Sequence, residues 1–291
     1  MNKPDGLQAL EQPLASLPCT LRQLILERIQ NLTHYEPVIG IMGKSGAGKS
    51  SLCNELFRGE VSPVSDVNAC TRDVLRFRLR SGCHSLVIVD LPGVGENGRR
   101  DQEYRALYRR ILPELDLVLW VIKADDRALT VDEQFWHGVM QPYMHKVLFV
   151  INQADKIEPC HEWDTLTSKP SPHQLRNLKA KQAAIMAMFK PHHPVCVASA
   201  RTGWGIEEMV AAMMRCLPDR ATSPVVTQLQ GRLCTEPVKS QARDSFGEAV
   251  GRVFDTAESS SFLSASLKTV IRGVRDAVVS VARAVWDWIF F

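Results

Sequence analysis

The sequence predicts an α/β protein with a mostly parallel sheet that is covered by helices on both of its faces. Two observations predict this fold class. Short apolar runs of strand length alternate with helix-length segments from residue 38 onward, and a glycine-rich turn joins the first run to the helix after it. Such alternation is typical of parallel strands joined by crossover helices. At 291 residues and 45% hydrophobic content, the chain can form one full domain of this class and a smaller appendage.

Six strands are expected. Five apolar runs are continuous, as in strands that are buried on both faces. They cover Val38–Met42 and residues 86–89, 117–122, 147–151 and 195–198. In residues 75–80, large apolar side chains alternate with arginine, which indicates a half-exposed edge strand that is antiparallel to its neighbour. Helices are expected over residues 49–57, 101–112, 131–141, 174–189 and Ile206–Cys216.

The two ends of the chain differ from this pattern and divide it into segments 1–35, 36–217 and 218–291. The first segment contains an amphipathic helix, for which Thr20 and Gln23 form a candidate capping box. The last segment is expected to be a helical tail. Its apolar face consists of Leu267, Ile271, Val274, Val278, Val281, Val285 and Trp288. This face can dock on the chain itself or on a second protomer, or it can lie on a membrane surface.

Composition excludes several classes of function. The formal net charge of +3 is close to balance and gives no overall attraction to nucleic acid or anionic lipid. The eight cysteines show neither the paired spacing of zinc ligands nor that of a redox dithiol. No apolar stretch has the length of a signal peptide or a membrane span. We therefore expect a protein of the reducing cytoplasm, with peripheral membrane contact through the tail as an alternative.

The turn after the first strand fits the pattern of a phosphate-binding loop, G-x-x-x-x-G-K-[ST], at every fixed position. Its residues are Gly43, Lys44, Ser45, Gly46, Ala47, Gly48, Lys49 and Ser50, followed by Ser51. In such loops the backbone N–H groups surround phosphate oxygens, so Lys49 is expected on the β and γ phosphates and the Ser50 hydroxyl on Mg²⁺. The alternative is a glycine-rich turn that has no role in phosphate binding.

Two further elements complete a candidate site for a nucleoside triphosphate. Asp90 ends a strand and Gly93 follows in a D-x-x-G turn, so the carboxylate can hold the magnesium shell and the Gly93 N–H can contact a γ phosphate. Thr71 precedes the alternating strand and is the chosen residue for closing over Mg²⁺, with Ser62 and Ser65 as competitors. The alternatives are a common turn at Asp90 and a structural threonine at position 71.

Base recognition is expected where the strand of residues 147–151 ends. Asn152, Gln153 and Asp155 follow that strand, and a carboxylate at Asp155 can accept bonds from the N1–H and N2–H₂ groups of guanine. Adenine offers neither donor and would leave the carboxylate unpaired. Ser199 and Ala200 follow the next strand, where they can supply a backbone amide to the base. Each piece alone also occurs in structural loops, so their order along the chain carries the inference.

With these motifs in this order, the chain resembles the Era-like GTPases of the TRAFAC class, a bacterial branch that includes Era, EngA and the G domain of MnmE. Within that branch it is similar to prophage-associated members. The resemblance covers residues 36–217. It implies a Ras-like fold with a six-stranded sheet, GTP and GDP as ligands, Mg²⁺ as cofactor, and hydrolysis of GTP. An RNA or ribosome partner is implied by the resemblance alone.

Three positions depart from the family pattern. Gln153 stands where the family has a lysine that packs on guanine, so nucleotide affinity is expected to be reduced. Gly46 stands where the family commonly has asparagine, which puts potassium-assisted hydrolysis in doubt. Val94 stands where Ras has a glutamine that orients water, although a hydrophobic residue is usual in this branch. The run of residues 46–51 is also similar to septin-like and immunity-related GTPases.

These features favour a slow, magnesium-dependent GTPase that acts as a molecular switch and needs an activating partner or a homodimer for turnover. Arg72, Arg99 and Arg100 are candidate arginine fingers or, alternatively, solvated surface charges. Two rival hypotheses are a membrane-associated or self-assembling GTPase similar to septins and dynamins, and a nucleotide-binding scaffold that has lost hydrolysis.

Overall fold

The structure, a computed structural model of the chain, describes residues 6–63, 74–93, 100–259 and 264–291, with residues 100–103 described by their backbone. Among these residues seven strands form one sheet. They are β1 (Val38–Met42), β2 (Glu60–Pro63), β3 (Leu75–Ser81), β4 (His84–Asp90), β5 (Leu117–Lys123), β6 (Val147–Asn152) and β7 (Cys196–Val197). Their order across the sheet is β2-β3-β4-β1-β5-β6-β7.

The α/β class with a mostly parallel sheet is confirmed, and the expected number of strands was wrong. Strands β4, β1, β5, β6 and β7 are parallel, whereas β2 pairs antiparallel with β3 and β3 pairs antiparallel with β4. The antiparallel direction of β3 is confirmed, but β2 takes the outermost position. Sequence reasoning missed β2 because it has four exposed residues, ends in Pro63 and shows no apolar alternation.

The helices of the described residues alternate with the strands and then continue as a tail. They are α1 (Cys19–Thr33), α2 (Lys49–Leu56), α3 (Arg100–Ile111), α4 (Thr130–Phe135), α5 (Pro172–Phe189), α6 (Ile206–Cys216), α7 (Asp219–Gln228), α8 (Glu236–Glu258), α9 (Ala265–Ala284) and α10 (Trp286–Phe290). A π-helical stretch, Trp136–Met140, prolongs α4. Helix α1 starts after Pro18 without a side-chain cap, so the expected capping box at Thr20 and Gln23 was wrong. A capping box is found instead at Ser171 and Gln174.

Strands β5 and β6 are apolar along their length because helices cover both faces of the sheet. On one face Trp120 of β5 stacks on Phe149 of β6, with ring centroids 5.1 Å apart. Trp136 and Phe189 complete this aromatic cluster. This packing holds the central strands of the sheet together. The candidate site lies at the carboxyl ends of these strands.

The other face of the sheet shares a core with α1 and the tail. Helix α7 packs on β3 and β4, α8 packs on α1, α6 and α7, and α9 pairs with α8. Buried side chains from all these elements form one continuous apolar cluster. The tail is therefore docked on the chain itself, which is one of the three arrangements left open by its sequence. No helix within the described residues is long and apolar enough to cross a membrane.

The end of the tail differs from the expected single helix. Trp286 is fully buried, and its indole Nε1 donates to Ser223 Oγ at 2.8 Å, whereas Trp288 is 51% exposed. The expected place of Trp288 on the apolar face was wrong because α9 ends at Ala284 and α10 starts afresh at Trp286. After the break, Trp286 and not Trp288 is directed into the core.

Candidate functional site

The loop between β1 and α2 adopts a backbone conformation that depends on its glycines. Gly46 and Gly48 have φ values of +72° and +87°, which side chains other than that of glycine rarely adopt. Gly48 is the N-cap residue of α2, so the loop leads directly into the positive end of a helix. Lys49 Nζ donates to Gly43 O at 2.9 Å and so lies across the loop. This geometry is that of a cradle for anionic oxygens.

Lys44 links this loop through ion pairs to the residues that follow β5. Its Nζ lies 2.9 Å from Asp126 Oδ2 and 3.0 Å from Asp132 Oδ2. Burial by itself lowers the pKa of Lys44, but the two carboxylates outweigh it, so the pKa is raised. The charge of Lys44 is therefore used within the protein and is not free for a ligand.

Asp90 lies at the carboxyl end of β4, one strand away from the loop. Burial raises the pKa of its carboxyl group, and the charge of Lys49 offsets part of that effect. Its Oδ1 is buried and accepts no hydrogen bond within the described residues. Asp90, Lys49 and Ser50 line a common cavity of about 620 Å³. A buried carboxylate oxygen that has no partner among the described residues, in a cavity that a serine also lines, fits the oxygen ligands that Mg²⁺ requires.

Asn152 joins the phosphate loop to the opposite half of the site. Its Nδ2 donates to Ala47 O at 2.9 Å, and its Oδ1 accepts from the Ala200 N–H at 3.1 Å. Gln153 has a left-handed backbone, with φ of 61°, and its Nε2 donates to Gly46 O at 2.7 Å. Gln153 thus bonds the phosphate loop through its side-chain amide.

Asp155 lies beside this bridge with a side chain that is 1% exposed. Its Oδ1 accepts from Ser199 Oγ at 2.5 Å. Its Oδ2 accepts from Arg201 Nε at 2.9 Å and lies 2.8 Å from Arg201 Nη2. Sequence reasoning missed Arg201, and the available signal was its position directly after Ser199 and Ala200.

The structure brings the described members of the expected set to one edge of the sheet. Ser45, Ser50 and Ser51 are exposed on the loop and the first turn of α2. Gly93 packs against the loop, since a Cβ atom on it would lie 2.9 Å from Gly43 O. Thr71, Ser65, Val94, Arg72 and Arg99 lie outside the described residues, and Arg100 is described by its backbone alone.

A phosphate loop at the carboxyl edge of a mostly parallel sheet, with a buried carboxylate beside it, is the arrangement found in the class of P-loop GTPases. Comparison with known proteins supports this assignment to the P-loop GTPases. Residues 38–153 match a family model described as 50S ribosome-binding GTPase. The chain is 55% identical over 285 residues to the Escherichia coli protein YfjP, covering 98% of each chain. It is 54% identical to the Escherichia coli protein YkfA over the full length of both.

The chain is also 30% identical over 188 residues to GTPase Era of Aquifex aeolicus, which covers 62% of this chain and 56% of Era. The chain belongs to the family that contains YfjP and YkfA, and it carries a GTPase domain that is similar to that of Era. It is accordingly an enzyme that hydrolyses GTP.

Proposed function

We propose that this GTPase acts as a molecular switch with slow, magnesium-dependent hydrolysis, and that residues 36–217 form its GTP-binding unit. One observation carries the proposal: the phosphate loop is hydrogen-bonded through Asn152 to the segment that bears Asp155. In support, Asp90 lines the same cavity as Lys49 and Ser50 of the phosphate loop. One purine nucleotide can then contact the loop with its phosphates and Asp155 with its base.

The residues have distinct roles in this proposal. Residues 43–51 surround the phosphates, Lys49 neutralises the charge on the β and γ phosphates, and Asp155 accepts from guanine. Ser199 and Ala200 hold Asp155 and Asn152 in place. Ser50, Asp90 and Thr71 would hold Mg²⁺, which would neutralise charge on the phosphate oxygens when bound.

Hydrolysis transfers the γ phosphoryl group to water, so that the bond to the β–γ bridging oxygen breaks and GDP and phosphate leave. With Val94 in place of a water-orienting glutamine, we expect a rate no faster than on the order of 10⁻⁴ to 10⁻³ per second without a partner. Loss of phosphate would release the loops that contain Thr71 and Gly93, and an effector would read that difference. An activating protein or a second copy of the chain would raise turnover.

Exchange of the base-recognising group tests the binding mode. Asp155→Asn replaces an acceptor oxygen by a donor, so we expect preference to change from GTP to xanthosine triphosphate in competition with a fluorescent nucleotide. Asp125→Asn, at an exposed carboxylate after β5, is the control and should keep the preference for GTP. If Asp155→Asn keeps the preference of the wild type, the assignment of Asp155 is wrong.

Single-turnover release of labelled phosphate tests the switch mechanism. We expect slow release that is lost in Lys49→Ala and on chelation of Mg²⁺, and that rises with protein concentration if the chain activates itself as a homodimer. Release at the level of Lys49→Ala under every condition would favour the scaffold hypothesis over a switch driven by hydrolysis.

A further inference from the structure

Lys123 is the last residue of β5 and lies beside the phosphate loop. It is paired in register with Asn152 of β6, the residue that bonds the loop from the other side. A Cβ atom on Gly46 would lie 3.6 Å from Lys123 Cε and 3.7 Å from its Nζ. The ammonium group therefore approaches the loop at a glycine, where no side chain intervenes.

The other lysines around the loop already have acceptors. Lys44 is paired with Asp126 and Asp132, Lys49 donates to Gly43 O, and Lys181 donates to the backbone carbonyl of Asp126. The remaining oxygen of Asp126, Oδ1, accepts from the Ala128 N–H at 2.9 Å. Both oxygens of the Asp126 carboxylate thus already accept from other donors.

The ammonium group of Lys123 makes no hydrogen bond or ion pair with any residue that the structure describes, and the side chain is half-buried. A partly desolvated ammonium group without an acceptor is costly, and it becomes favourable when an anion supplies oxygen atoms. The cradle of backbone N–H groups next to it is suited to such an anion.

We propose that Lys123 is a second phosphate-binding lysine of this site, which contacts the polyphosphate of the bound nucleotide from β5 while Lys49 contacts it from α2. The inference rests on the proposed binding mode, in which the phosphates occupy the loop at residues 43–51. Gly46 is part of the arrangement, because a larger side chain there would fill the space between Lys123 and the phosphates.

Titration of GTPγS and GDP into nucleotide-free protein at several salt concentrations tests the proposal. Lys123→Met keeps most of the aliphatic stem and removes the charge, so we expect its affinity for GTPγS to fall about tenfold, as for the loss of one charge-assisted hydrogen bond. The dependence of affinity on salt should become shallower. Lys123→Arg should recover most of the affinity. Lys179→Met, at an exposed lysine of α5, is the matched control.

The outcomes separate this inference from the proposed function. If Lys123→Met binds as tightly as Lys179→Met while Lys49→Ala loses binding, Lys123 does not contact phosphate and the phosphate loop keeps its role. If Lys49→Ala binds like the wild type, the proposed binding mode itself fails. A fall in the melting temperature of nucleotide-free Lys123→Met, with no recovery of affinity in Lys123→Arg, would assign Lys123 a structural role and overturn the proposal.

Discussion

The hydrogen bonds of Asp155 bear directly on how guanine would enter the proposed site. A carboxylate oxygen has two lone pairs, and Nε and Nη2 of Arg201 are both directed at the same oxygen, Oδ2. Guanine would present two donors to the two oxygens of one carboxylate. Binding of the base therefore requires Arg201 to give up at least one of its contacts with Asp155.

We expect Arg201→Ala to accelerate the association of GTP and to raise its affinity by about two- to fivefold. The effect is small because the Arg201 side chain is 69% exposed, and exposed ion pairs contribute about 0.2–1 kcal/mol. Stopped-flow fluorescence would measure it, with Arg176→Ala, at an exposed arginine of α5, as control. Weaker binding of GTP by Arg201→Ala would show instead that Arg201 holds the base.

A side chain at position 93 is excluded by neighbouring atoms and not by the backbone dihedrals of Gly93. A Cβ atom there would lie 2.9 Å from Gly43 O and 3.2 Å from Lys44 Cα, and both of these atoms belong to the backbone of the phosphate loop. We expect Gly93→Ala to lower GTP affinity at least about tenfold, because the loop must shift. Gly273→Ala, where a Cβ atom meets nothing within 4 Å, should bind GTP like the wild type in the same titration.

At the scale of single residues, sequence reasoning found what spacing along the chain encodes. The fixed positions of residues 43–50 specify a phosphate loop because the chemistry needs glycines and a lysine within one turn. Lys123 and Arg201 carry no such pattern. Their contacts with Gly46 and Asp155 arise from the pairing of neighbouring strands, which spacing along one strand does not show.

At the scale of elements, apolar periodicity located most strands and helices and failed at discontinuities. The face expected from Leu267 to Trp288 assumed one helix, whereas α9 ends at Ala284 and the side chains that follow are rotated. Strand β2 was missed because it pairs on one edge and buries no side chain. Both errors concern short elements, whose position depends on partners distant in sequence.

On the C-terminal side of this break, two tryptophans of α10 differ in burial. Substitution of each one tests how α10 docks. Trp286 is fully buried and its indole is hydrogen-bonded to Ser223, so Trp286→Ala should lower the free energy of unfolding by about 3–5 kcal/mol. Trp288 is half exposed, and Trp288→Ala should cost well under that amount. Urea denaturation would compare the two. Equal losses would mean that α10 does not dock through Trp286.

At the scale of the whole molecule, His84 lies where the sheet meets both ends of the chain. It begins β4, stacks on Phe290 of α10 at 5.2 Å between ring centroids, and lies close to the backbone of Thr33 in α1. Neither ring nitrogen makes a hydrogen bond of normal geometry within the described residues. Burial first, and the nearby His34 next, lower the pKa of His84 below its ordinary value near 6.5, although the backbone of Ile289 and Thr33 opposes this shift.

Because the folded state disfavours the protonated imidazole, the unfolded state binds more protons below pH 6.5, and stability falls as the pH falls through that region. We expect His84→Phe, which keeps the stacked ring, to show a weaker loss of melting temperature between pH 7.5 and 5.5 than the wild type. His137→Phe, at an exposed histidine, is the control. An unchanged pH profile in His84→Phe would assign the acid sensitivity to other groups.

The apolar cluster that α1 and the tail share with the sheet also has a consequence for ligand binding. Since a ligand held by the native state stabilises every region that unfolds together with its site, GTP bound at one edge of the sheet should protect distant helices as well. Trypsin cleavage at Arg272 and Arg283 of α9 would then slow when nucleotide is added, although neither arginine lies near the phosphate loop. The tail would thus report occupancy of the site without touching it.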